Sequence, residues 1–417
     1  MKKIRTTPSG VKFLHNKEDC EISCVSVWSQ AGARYDFSSK PGTAHVCEHL
    51  IGTPRKNNSA LKGSEWLSQK GILSESWMDY SLVRQTHLQK SIHTEASIRF
   101  LCDQIFKFKF REDLFEQEKA AVKNESREYV GIYDRIWELA HEGLWPKSSF
   151  DRSLTDKESD IDNITKEDVE VFHKQHYFST SSTLIIISPH DTGDIEGWIE
   201  KSVPEKINQQ PQQIEQFTQP PKRLVVEDWN TEDTTIGISV KTVPVETYKE
   251  TACIDIIIEI LGGSDISRLL TKLRHDKGLT YSIYTKTDSY RDTGYFTIYF
   301  SVPNDEHQKA LSIAFEELSK VIKGRIKKNE LDMHRNNYIT RYLADKESVK
   351  NRTTWYGKQT VSENNNILPI DEYIHMLEKI TVSDVVETAQ EYLKEDRISV
   401  GIVGPVNESN IDIPSLD

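Results

Sequence analysis

Hydrophobic and polar positions alternate along some stretches of the chain and recur at helical spacing along others. Residues 20–32 (CEISCVSVWSQAG) and 234–246 (TTIGISVKTVPVE) carry the alternation of strands. Residues 281–286 and 294–302 (GYFTIYFSV) flank the polar run TDSYRDT and predict a hairpin. Helices are predicted over 113–131 and around 45–49, the latter starting in Ser39-Lys40-Pro41-Gly42-Thr43 and stopping at Gly52-Thr53-Pro54. Segments 164–189 and 380–405 share one grammar: Ile-Thr, a helix with Asp168 or Asp384 in its first turn, then an apolar strand ending at Pro189 or Pro405. The offset, 384 − 168 = 216 residues, is about half of the 417-residue chain, which implies two copies of one unit. Each copy reads as strand, helix, strands, long helices, then a final helix and strand. That order predicts an α+β fold of two homologous domains, each a mostly antiparallel sheet packed with helices. The Gln/Pro-rich stretch 207–221 reads as a linker, so the domains are expected at 1–206 and 222–417.

Composition narrows the function. Lys and Arg number 53 against 65 Asp and Glu, a formal charge of −12, which argues against a general nucleic-acid binder. The apolar runs, such as TLIII at 183–187, are strand-sized, so no membrane span is expected, and the basic N-terminus lacks the apolar stretch of a signal peptide. The five cysteines (Cys20, Cys24, Cys47, Cys102, Cys253) are odd in number and unclustered, the usage of a cytoplasmic protein with reduced thiols. Charge is uneven: residues 1–110 carry 16 − 10 = +6 and residues 111–200 carry 10 − 21 = −11. Solvated helix faces account for most of that excess; an acidic wall attracting basic peptides is the functional counterpart.

The strongest local signal is His45-Val46-Cys47-Glu48-His49. On a helix, His45 and His49 lie one turn apart on one face, so both imidazoles can reach one ion. Glu48 projects close by and can act as a base on a water that the ion acidifies. This H-x-x-E-H order is the inverzincin pattern. Cys47 points away from the shared face and is read as a packing residue. A catalytic zinc needs a third ligand, and the helix over 113–131 offers acids. Glu118 and Glu125 lie 125 − 118 = 7 residues apart, on the stripe of Leu114 and Val122. Spacing alone does not choose among Glu118, Glu125 and Glu128.

The run PGTAHVCEHLIGT (41–53) resembles the active-site segment of the pitrilysin/insulysin superfamily of zinc metallopeptidases, which includes mitochondrial processing peptidase. The resemblance covers essentially the whole chain and implies Glu125 as third ligand, 125 − 49 = 76 residues beyond the second histidine, with Glu118 as a supporting acid. GGSDISRLLTKLRHDKGLTYSIYTKT (262–287) resembles the family segment in which an Arg and a Tyr complete the active site, here Arg274 and Tyr281. The second half has no H-x-x-E-H; its 254–263 stretch reads as mostly apolar framework. Where the family has an Asn-Ala pair beside the substrate-pairing edge strand, this chain has Ser74-Glu75.

The resemblance implies half of a clamshell holding one Zn²⁺ per chain. It implies an endopeptidase for unfolded peptides, enclosed in a homodimer chamber where Arg274 and Tyr281 reach the partner's zinc. A heterodimer with a related subunit is the alternative assembly. Two functional alternatives stand beside this: a maturation protease dedicated to one precursor, and a non-catalytic peptide-binding or scaffold subunit.

Overall fold

A computed structural model describes residues 1–38, 40–54, 60–128, 131–154, 157–203, 217–362 and 366–416. The expected linker lies, as far as residue 216, outside the described residues. The chain packs into two compact units. The first takes Met1–Tyr129, Ser153–Glu215 and Asp345–Ile370; the second takes Val130–Arg152, Gln216–Ala344 and Asp371–Asp417.

The first unit is built on strands β1 (Lys12–Lys17), β2 (Ile22–Ser29), β3 (Leu73–Met78), β4 (Val83–Lys90) and β5 (Ser182–Ser188). Beyond the short strand Arg5–Thr6 their order across the sheet is β1-β5-β2-β4-β3. Only β1 and β5 pair in parallel; the other pairs are antiparallel. On one face lie α1 (Thr43–Gly52), α2 (Thr94–Phe106), α3 (Glu112–Glu128) and, later in the chain, α5 (Lys166–His176). The intervening α4 (Ile132–Leu144) belongs to the second unit. Val25, Val27, Leu184 and Ile186 of the sheet meet Val46, Cys47, Leu50 and Ile51 of α1, Ile98 and Leu101 of α2, and Val122 of α3. Burial of each such side chain is worth about 1.5–3 kcal/mol. The α1 backbone is thus held on its apolar sides by the core.

The second unit repeats the plan with β6 (Leu224–Asp228), β7 (Asp233–Thr242), β8 (Tyr284–Ser289), β9 (Gly294–Pro303) and β10 (Ile398–Gly404). Their order, β6-β10-β7-β9-β8, is that of the first sheet strand for strand, and again only the first pair, β6 and β10, is parallel. Its helices are α6 (Tyr248–Ile258, continued by a π-turn over Glu259–Gly263), α7 (His307–Ile322), α8 (Lys328–Glu347) and α10 (Val382–Tyr392); α9 (Val349–Lys358) belongs to the first unit. The hairpin strand expected at 281–286 begins instead at Tyr284 and runs to Ser289. The turn is confined to 290–293, where the Tyr290 N–H donates to the Thr293 carbonyl at 2.7 Å, so Thr287, Asp288 and Ser289 pair with β9 rather than looping.

The repeat extends to side chains. Thr165 caps α5 and Thr381 caps α10, each in a reciprocal capping box with Asp168 or Asp384. A lysine reaches each of these aspartates, Lys40 at 2.7 Å and Lys249 at 2.6 Å. The two units also exchange equivalent helices. α4 packs on the second sheet, where Ile136 and Leu139 cover Gly237 and Gly401. α9 packs on the first, where Gly357 lies so close to Trp28 that a Cβ would stand 1.9 Å from the ring. No helix of the described residues is long and apolar enough to cross a membrane.

Candidate metal centre

α1 begins at a turn that glycine makes accessible, Gly42 having φ 82°. Buried Asp36 accepts the Gly42 and Ala44 N–H groups at 2.9 and 2.8 Å, satisfying donors at the helix start. At the other end the Gln104 amide of α2 donates to the Ile51 and Thr53 carbonyls at 3.1 and 3.3 Å. The helix is therefore fixed at both ends as well as through its core face.

From this helix His45 and His49 project together, their ring centroids 4.9 Å apart. α3 brings Glu125 to them: its Oε2 lies 3.0 Å from His49 Nε2 and 3.6 Å from His45 Nε2. Among the described residues this is the group that can hold a metal ion, with one ligand atom from each residue and all three within 4.8 Å of one another. Two imidazole nitrogens and one carboxylate oxygen suit zinc and leave a fourth tetrahedral position open. His45 is buried, whereas the Glu125 side chain is 39% exposed, so the cluster has an open side.

Glu48 is buried beside the cluster, its Oε2 3.9 Å from His49 Nε2. Burial raises its pKa, against the pull of the His49 and His45 rings. Glu118 takes the other nitrogen of His49, with Oε2 3.3 Å from Nδ1. Its second oxygen accepts the Thr53 hydroxyl at 2.6 Å. Burial alone would lower the His49 pKa, but the bonds to Glu118 and Glu125 outweigh it and carry the metal-free ring up to about 9. Bonds from His45 first, and then from His49, hold the Glu125 carboxyl well below the usual range. A cation in place of the proton would meet the same negative potential.

The fold thus brings His45, Glu48, His49, Glu118 and Glu125 together, and Glu128 lies exposed at the end of α3. Cys47 is fully buried in the apolar cluster. Thr53 stands outside the H-x-x-E-H motif, although it lies one helical turn beyond His49 and so shares its face. Arg274 and Tyr281 belong to the second unit, where the Arg274 guanidinium lies over the Tyr281 ring, 4.7 Å from its centroid. Ser74 and Glu75 sit on β3, the edge strand of the first sheet, and Glu75 is held by Arg84 and Lys350.

The chain is similar in sequence and fold to known peptidases. The profile of the insulinase family (peptidase family M16) matches residues 12–174, and that of the peptidase M16 inactive domain matches residues 163–338. The chain is 22% identical over 416 residues to the "uncharacterized zinc protease YmxG" of Bacillus subtilis (strain 168), covering 97% of this chain and 98% of that one. It is 18% identical to the mitochondrial-processing peptidase subunit beta of Homo sapiens, over 97% of this chain and 85% of that one. The crystal structure of a protease from Helicobacter pylori superposes with a TM-score of 0.88 at 19% identity, covering 97% of this chain and 99% of that one.

Proposed function

The chain belongs to peptidase family M16, and on that premise we propose that it is a zinc-dependent endopeptidase acting on unfolded peptides. The observation that carries this reading is the convergence of His45, His49 and Glu125 with a buried carboxylate, Glu48, beside them. His45, His49 and Glu125 would hold one Zn²⁺ per chain. When bound, the ion supplies a Lewis acid for the scissile carbonyl and lowers the pKa of water. Glu48 takes the proton from the attacking water and returns it to the leaving amine, a task helped by its burial and raised pKa. Glu118 fixes His49 through Nδ1 and thereby its orientation.

Substrate would add to the exposed edge of β3 as a further strand, gaining affinity from main-chain bonds. Arg274 would hold a substrate carbonyl and Tyr281 would donate to the developing oxyanion. Both would act on the zinc site of a second copy in a homodimer that encloses the peptide. Tyr281 is 79% exposed in the single chain, which suits a residue that completes another surface.

The deciding experiment is Glu48→Gln: cleavage of unfolded peptides should be lost while about one zinc per chain is retained. Undiminished cleavage would sink the mechanism. One observation favours a second reading, a non-catalytic peptide-binding subunit. Glu75, on the edge strand where substrate would pair, is tied down by two cations. Metal analysis separates the two, because a scaffold has no need of stoichiometric zinc. A mass-spectrometric survey of cleaved peptides distinguishes a general oligopeptidase from a maturation protease with one precursor.

A further inference from the structure

The second unit contains a counterpart of the metal centre, built with its charges exchanged. By their places in the two repeats, α6 corresponds to α1 and α8 to α3. α1 presents His45 and His49, four residues apart; α6 and its π-turn present Asp255 and Glu259, with the same spacing. α3 presents Glu118 and Glu125; α8 presents His334 and Arg341, also 341 − 334 = 7 apart. The contacts correspond as well. Where His49 meets Glu125, Glu259 forms an ion pair with Arg341. Where Thr53 meets Glu118, Ser264 Oγ meets His334 Nδ1 at 3.3 Å. Thr53 lies four residues after His49 and Ser264 five after Glu259; the π-turn over Glu259–Gly263 absorbs the extra residue.

This is not an ordinary surface ion pair. Asp255 and Glu259 are 3% and 2% exposed, on a stretch whose sequence reads as apolar framework. A carboxylate so buried requires a cation or hydrogen-bond donors. Asp255 has the hydroxyls of Tyr373 and Tyr338. Glu259 has Arg341 on one oxygen, while its Oε2 has no hydrogen-bond partner among the described residues. Arg341 also donates to the Gly263 carbonyl at 3.3 Å. Gly263 makes room for this arrangement, since a Cβ there would stand 2.4 Å from Glu259 Oε1. Burial raises Glu259 to about 7 against the attraction of Arg341, and Asp255 to about 6.

We propose that the second unit retains a cation site at the place equivalent to the metal centre, and that Arg341 fills it with its own guanidinium. The cation that ties helix to helix is zinc in the proposed reading of the first unit and a side chain in the second. The second unit is therefore clamped without metal, and its site is convertible. With imidazoles for the two acids and a carboxylate for the guanidinium, the same frame takes a divalent transition metal.

The test is the triple variant Asp255→His/Glu259→His/Arg341→Glu, loaded with zinc, dialysed and assayed for metal. It should hold one zinc per chain more than its parent, whatever the parent holds, so the result is independent of the reading of the first unit. A folded triple variant with the parent's zinc content overturns the proposal. A second measurement decides if that chain does not fold. In chelator-treated protein, Arg341→Ala should lower the melting temperature of the second unit by about 5 °C or more, by stranding a buried carboxylate. Adding Glu259→Gln should recover most of that loss. An Arg341→Ala protein that melts with its parent would overturn the clamp.

Discussion

The Arg274 guanidinium carbon lies 4.7 Å from the centroid of the Tyr281 ring, seven residues further along the chain. The contact aligns the cation with the phenol, and the phenol stands open to solvent. Tyr281→Phe keeps the ring and removes only the hydroxyl, so stability should stay within about 0.5 kcal/mol of the parent. Peptide hydrolysis should fall by about 10²–10³-fold, the usual effect of removing one oxyanion donor. Mixing Tyr281→Phe chains with Glu48→Gln chains should restore activity if each copy completes the other's site. With exchange of subunits verified, a mixture as inactive as its components excludes completion in trans.

Glu48→Gln preserves shape and removes the base. Hydrolysis should drop by about 10²–10⁴-fold, the range for loss of a positioned proton carrier. Zinc content, measured by atomic spectroscopy, should remain near one per chain, because Glu48 is not among the three clustered ligand atoms. Loss of zinc together with activity would instead make Glu48 a ligand.

Thr53 and Glu118 form a relay behind His49. Outer partners of a metal-bound imidazole typically contribute about 10–100-fold in affinity. Glu118→Gln should therefore weaken zinc binding by about that factor, and Thr53→Val by less, since Glu118 keeps its contact with the ring. Competition with a chromogenic chelator gives both values. Equal affinity in Glu118→Gln and parent protein would show the contact to be incidental.

The metal-free His49 ring titrates near 9, above its ordinary 6.5. Because the folded value is raised, the bonds of protonated His49 to Glu118 and Glu125 stabilise the chelated protein fully below about pH 6.5. That contribution is lost as pH climbs through about 9. Zinc needs the unprotonated ring, so its apparent affinity should rise over the same window. Thermal melts with chelator and zinc titrations from about pH 6 to 9.5 should show the opposed slopes. A His49→Asn variant with the parent's pH profile in both would count against this assignment.

Much of this was legible in the residues. The Ile-Thr-x-x-Asp grammar at 164–168 and 380–384 announced two equivalent capped helices, and both capping boxes form. The His45–His49 spacing needs only helical geometry to place two imidazoles on one face. The choice among Glu118, Glu125 and Glu128 was beyond spacing, because it depends on how α3 is rotated against α1. Packing of Leu114 and Val122 into the core sets that rotation and leaves Glu128 in solvent. The 254–263 stretch was less legible still. Its two acids are outnumbered by isoleucines, and their partner, Arg341, lies 341 − 259 = 82 residues away.

The sequence by itself determined the duplication, the pairing of two imidazoles on one helix face and the α+β class. These rest on local periodicity and on motifs whose parts are close in the chain. Only the tertiary structure decided which sheet each helix covers. The apolar faces of α4 and α9 demand burial but name no partner, and the units exchange them. Tertiary structure alone also decided the charge of the two equivalent sites. Two imidazoles, one of them buried, meet a carboxylate in one and a buried carboxylate meets a guanidinium in the other, because a group taken from water must find its complement on a neighbouring element.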